Sequence, residues 1–176
     1  MAVAVGLSLG AQARPAGANI WPGAAERIAA ALTSSEASIR RQGASQLLEL
    51  PPDLARELTA KALGDTDAEV RLRAAQAAAQ LRLPKGGDLV VSWLSETDSR
   101  LRLAACDVVR VSPTERAVVA LGRVLGDPEQ RVRVAAAAAM GASGSADAVS
   151  PLLGHLDDPA PEVRIEVAHG AGAERR

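Results

Sequence analysis

The strongest constraint on the fold is self-similarity at one fixed offset. Shifted by 31 residues, the chain aligns Ile39, Val70, Leu101, Val132 and Val163 in one column, each followed directly by an arginine: Arg40, Arg71, Arg102, Arg133 and Arg164. Leu32, Leu63, Leu94, Leu125 and Leu156 form a second column, and two places after it stand Ser34, Asp65, Glu96, Asp127 and Asp158. With 18 arginines among 176 residues, five in one column arise by chance roughly once in a hundred thousand trials, so the period is real. A repeat of this length encodes a unit too small to bury its apolar face alone, which it does by stacking on copies of itself.

Each copy reads as two helices. The first is an amphipathic stretch ending at the leucine column, as in Glu26 to Leu32, Leu54 to Leu63 and Arg116 to Leu125. A short turn carrying Ser, Asp or Glu follows, and Pro128 or Pro159 comes next in the last two copies, which predicts an N-cap followed by proline at the first helical position. The second helix places apolar residues 0, 4, 8 and 11 from the valine column, as in Val70, Ala74, Ala78 and Leu81, which is one helical face. Five places after the valine column the side chains stay small: Ala44, Ala75, Cys106, Ala137 and Ala168. Small columns let helices approach closely. Pro51-Pro52, Pro84, Pro113 and Gly141-Ala142-Ser143-Gly144 separate the copies, and no β-alternating run interrupts them. The chain is therefore all-α, with copies at about 23–53, 54–84, 85–115, 116–146 and 147–176. Copy five carries Gly170 and Gly172, each costing about 1 kcal/mol in a helix relative to alanine, which predicts a truncated or frayed last repeat.

Composition narrows the class. Hydrophobic residues make up 48% of the chain but aromatics only 1%, so the core is aliphatic and the sequence reads as a soluble, helix-rich unit. Lys plus Arg number 20 against 21 Asp plus Glu; without excess positive charge, nucleic acid is not an expected partner. The longest uncharged runs, Met1 to Ala13 and Val134 to Ala146, fall short of the roughly 18 to 20 residues of a membrane span. Residues 1–20 form an apolar leader set apart from the repeats at 21–176. Its small-x-small end, Ala11-Gln12-Ala13, resembles the second half of a signal peptide, although no basic residue precedes it. An exported or periplasmic location follows if residues 1–13 are such a remnant, and a cytoplasmic one otherwise.

The motif Leu-x-Asp-Pro-x-x-x-Val-Arg-x-x-Ala-Ala, seen best in Leu125 to Ala137, resembles the HEAT repeat, and its short form is similar to the repeats of phycobilisome-lyase type proteins. The resemblance implies a right-handed α-solenoid of about five stacked helix pairs, with the second helices lining the concave side. It implies a non-enzymatic protein-interaction scaffold, with a lyase-like subunit assisting bilin attachment, or a fragment of a longer array, as alternatives.

Sites of chemistry are sparse. The arginine column (Arg40, Arg71, Arg102, Arg133, Arg164) and its acidic partner column (Asp65, Asp127, Asp158) read as a structural ladder between copies. Asp65 to Glu69 imitates the opening of a calcium loop, but Val70 stands where glycine is needed and Gln76 where the closing Glu belongs. His155 and His169 have no metal-ligand spacing, and Cys106 sits in the small column as a buried thiol. No cofactor is expected. Two residues after the valine column come Arg41, Leu72, Leu103, Val134 and Ile165, about 200° around the helix from the buried face. With Arg73, this ridge is the candidate partner-binding surface for a protein. Arg41, Arg73 and Trp93 are the candidate strong anchors.

Overall fold

The computed structural model describes residues 23–173. The apolar leader, including Met1 to Ala13, lies outside the described residues. Ten helices follow in five pairs: α1 (Ala24–Leu32) with α2 (Ala37–Ser45), and α3 (Pro52–Ala62) with α4 (Ala68–Gln80). Next, α5 (Gly86–Val90) and the 3₁₀ turn Val91–Ser95 pair with α6 (Ser99–Val111). Then come α7 (Val118–Val124) with α8 (Gln130–Ala142) and α9 (Val149–Leu153) with α10 (Pro161–Ala173). Among the described residues there is no strand. The second helices stack in order, α2 on α4 on α6 on α8 on α10, and the molecule is a helical-repeat solenoid.

Stacking buries the columns. Val70, Leu101, Val132 and Val163 lie in the core, as do Leu63, Leu94 and Leu125, and Ala75, Cys106 and Ala137 fill the tight space between successive second helices. Each large aliphatic side chain buried this way is worth about 1.5–3 kcal/mol. The columns fail at the ends. Ile39 is 39% and Leu156 42% exposed, because among the described residues no layer precedes the first pair or follows the last.

The second helices begin two residues later than the Asp-Pro pattern predicts. Asp65, Asp127 and Asp158 do not cap them: the Oδ1 of each accepts the backbone N–H two residues on, from Asp67, Glu129 and Ala160, at 2.8–2.9 Å. That bond turns the chain before the helix starts. The N-caps are Glu36, Asp67, Asp98 and Glu129. Asp67 accepts from Glu69 and Val70, and Asp98 from Arg100. Pro161, rather than Pro159, opens α10.

Two glycine expectations also need correction. Gly141 is not in a separating loop but inside α8, and Gly170 does not break α10, which runs through it to Ala173. The two helices meet at these glycines. A Cβ added to Gly141 would lie 2.6 Å from Gly170 Cα, and one added to Gly170 would lie 3.0 Å from a Leu152 methyl carbon. What a local reading scores as helix weakness is a backbone-to-backbone contact between layers. Gly141→Ala should therefore destabilise the fold by about 1–3 kcal/mol through overpacking. Gly172→Ala, with nothing within 4 Å of the added carbon, should be neutral or stabilise by up to about 1 kcal/mol. Urea midpoints of the two variants check both signs.

Candidate functional site

The arginine and acidic columns meet across layer boundaries. Arg40 Nε and Nη2 donate to Asp65 at 2.8 and 3.0 Å, Arg102 to Asp127 at 2.6 and 2.9 Å, and Arg133 to Asp158 at 2.8 and 3.0 Å. In each case Nη1 donates back to two carbonyls of the arginine's own turn: Ser34 and Ser35, Glu96 and Thr97, Asp127 and Pro128. Arg71 makes a different rung. It reaches Glu96 through Nη1 alone, at 2.9 Å, and its guanidinium lies 5.4 Å from the centroid of the Trp93 ring. Arg164 keeps the inward contacts, to Asp158 O at 2.8 Å and Pro159 O at 3.2 Å, but among the described residues it has no carboxylate partner.

The ridge two places after the valine column is only partly open. Leu72, Leu103 and Val134 pack half-buried against the core, whereas Ile165 is 54% exposed. Arg41 is already engaged, its Nε donating to Asp67 at 2.9 Å, and Arg73 pairs with Glu69 at 3.3 Å. Trp93 cannot anchor a partner: it is 4% exposed beneath Arg71.

Open space lies beside that ridge, six to ten places after the valine column. A cleft of about 520 Å³ between α6, α8 and α10 has Ala138, Gly141 and Ala142 as its floor and Arg110, Glu166 and His169 as its polar lining. A second, of about 300 Å³, lies between α4 and α6, with Leu72, Ala79 and Ala104 among its apolar walls and Gln76, Gln80 and Asp107 among its polar ones. Arg110 lines both. Together they make a groove across four successive second helices. Sequence reasoning missed Arg110 and Ala138; the signals available were two columns at the repeat interval, Gln76, Asp107, Ala138 and His169, and Ala79, Arg110 and Gly141.

The model of the family described as HEAT repeats matches residues 88–172. Over those residues the sequence is similar to HEAT repeats. Similar solved structures share the fold. An engineered protein superimposes with a TM-score of 0.70 at 23% identity, over 85% of this chain and 78% of that one. A protein of Escherichia coli, YibA, gives 0.67 at 24% identity, over 85% of this chain and 59% of its own length. The complex of CpcE and CpcF of phycocyanin lyase from Nostoc sp. PCC7120 gives 0.71 at 22% identity, over 98% of this chain and 70% of that one. At these identities the likeness is one of fold. No curated protein matches the chain.

Within the solenoid the one cysteine is quiet. The buried Cys106 thiol is pushed up to about 12, first by burial and then by the charges of Asp107 and Asp127, so it stays protonated and unreactive at neutral pH. Among the described residues no group of three His, Cys, Asp or Glu could hold a metal ion, and no helix is long and apolar enough to cross a membrane.

Electrostatics at the rungs follow from their geometry. Burial raises the Asp65 and Asp127 carboxyls, but hydrogen bonds from arginine and from backbone N–H groups outweigh it and hold both below the usual range. The Arg133 hydrogen bond does the same for Asp158. The Asp127 side chain is 5% exposed, so Asp127→Ala should cost about 2–3 kcal/mol, between the values for exposed and fully buried pairs. Asp53→Ala, which removes an open pair with Arg56, should change stability by less than about 0.5 kcal/mol. Because folding depresses these carboxyl pKa values, their contribution is complete above the unfolded value near 4 and disappears as pH falls through the folded values. Acid titration of the unfolding free energy should therefore decline from about pH 4 downward, with a shallower slope in Asp127→Asn.

Proposed function

We propose that the protein is a non-enzymatic scaffold that binds a protein partner along its second-helix face. The observation carrying this reading is the groove formed by the two clefts that meet at Arg110. It offers what a docked chain segment needs: apolar walls to exclude water and a few polar groups to fix orientation. Of the ridge residues, Leu72 contributes to its wall, while Leu103 and Val134 pack half-buried on the same helices and Ile165 is exposed on α10. The ladder arginines are structural in this reading: Arg40, Arg102 and Arg133 spend their donors on the next layer and on their own turns, and Arg71 is held by Glu96 and the Trp93 ring. Ladder residues hold the array, and the face beside them is left for recognition.

The test fills the larger cleft without disturbing the core. Ala138 is half-buried and Ala142 exposed, so Ala138→Arg with Ala142→Glu should leave helicity intact and shift stability by less than about 1 kcal/mol. The same double variant should lose a partner that native protein retains in affinity capture and mass spectrometry. Retention of every partner by a folded double variant would overturn the proposal.

A further inference from the structure

The aspartates of the ladder and of the capping turns are answered by arginine: Asp65, Asp67, Asp98, Asp127 and Asp158 each have a guanidinium nitrogen at 2.5–2.8 Å. Asp107 is different. Half-buried on α6, it lines the 300 Å³ cleft and, among the described residues, has neither a hydrogen bond nor an ion pair. Gln76 and Gln80 line the same cleft from α4, while Leu72, Ala79 and Ala104 make it apolar. The cleft thus combines a carboxylate without a hydrogen bond or ion pair, two amide oxygens and a hydrocarbon wall, with the exposed Arg110 at its edge.

A lysine side chain is the complement of that set. Its ammonium has three donors and no acceptor, and its four-carbon stem packs on apolar surface while the head seeks polar groups. We propose that this cleft takes a lysine from an extended segment of the partner, its stem along Leu72, Ala79 and Ala104 and its ammonium on Asp107, Gln76 and Gln80. The inference rests on the second-helix face being the docking groove. Burial holds the Asp107 carboxyl above its ordinary range, only partly offset by the charge of Arg110. In this less hydrated setting a charge-assisted contact from an ammonium is worth more than at a solvated carboxylate. Arg110 also lines the neighbouring cleft, which it shares with Glu166, and its side chain is exposed enough to turn that way.

Three acetylated and amidated twelve-residue Ala/Val peptides test this against the full chain, one with a central lysine, one with acetyl-lysine and one with glutamate. Calorimetry and backbone-amide NMR shifts are the readouts. The lysine peptide should bind about tenfold more tightly than the acetyl-lysine peptide, as one charge-assisted hydrogen bond supplies, and should shift Gln76, Gln80 and Asp107. Asp107→Asn should abolish the preference with an unchanged or higher urea midpoint, since it removes an unpaired carboxylate at constant volume. The exposed pair Gln76→Leu with Gln80→Leu should weaken the preference independently of how Asp107→Asn folds. Equal binding of the lysine and acetyl-lysine peptides, or a preference that survives Asp107→Asn, overturns the lysine inference and leaves the groove standing. Tightest binding by the glutamate peptide overturns it in favour of Arg110 as anchor. Absence of any shift on α4, α6, α8 and α10 with all three peptides overturns both.

Discussion

One guanidinium, gripped from both sides of a layer boundary, sets the geometry on which the rest of the solenoid depends. Arg102 shows the arrangement: Nη1 is held by two carbonyls of its own turn, and Nε with Nη2 holds Asp127 in the next copy. The same Asp127 carboxylate accepts the N–H of Glu129, so it orients the turn that starts α8. Spacing between copies and the path of the chain within a copy are thereby fixed by a single carboxylate. Apolar burial between the second helices supplies most of the stability. The ion pairs, costly to desolvate, contribute register more than energy.

This division of labour leaves one face of the second helices outside the stacking. The ladder arginines spend their donors internally, and the valine and small-residue columns are consumed by stacking. What remains on the second helices lies beside the half-buried ridge: amides, the carboxylates of Asp107 and Glu166, the exposed Arg110, His169 and a run of alanines and glycines. These positions follow the repeat interval but not a repeated residue type. A regular frame with an irregular lining can vary its recognition chemistry without altering its stacking.

Much of the fold was legible because stacking acts at one interval and imposes the same residue types at each copy. The helix pairs, the buried valine and leucine columns and the small column could be read directly. Helix starts could not, since Asp127-Pro128 looks like a cap and first turn whereas the carboxylate is drawn two residues upstream of the helix. Gly170 misled for a related reason: it meets Gly141, which stands nine places after its valine whereas Gly170 stands seven after its own, so the pair forms no column. Trp93 looked like a surface anchor, and only its position beneath Arg71 places it in the interior. On the candidate surface, the ridge was visible from helical angles. The clefts beside it were not, because a cleft is made by side chains that are missing, and absence leaves weaker traces in a sequence than a repeated residue does.

Gly141 and Gly170 both line the larger cleft and are also where α8 and α10 touch. A side chain introduced at either one to reshape the cleft would also wedge the final pair away from its neighbour. Shape and seating are consequently locked together at this end of the array, where a mutation cannot alter one without the other. The shape of the cleft is therefore more freely altered at Arg110, Glu166 and His169 than at these two glycines.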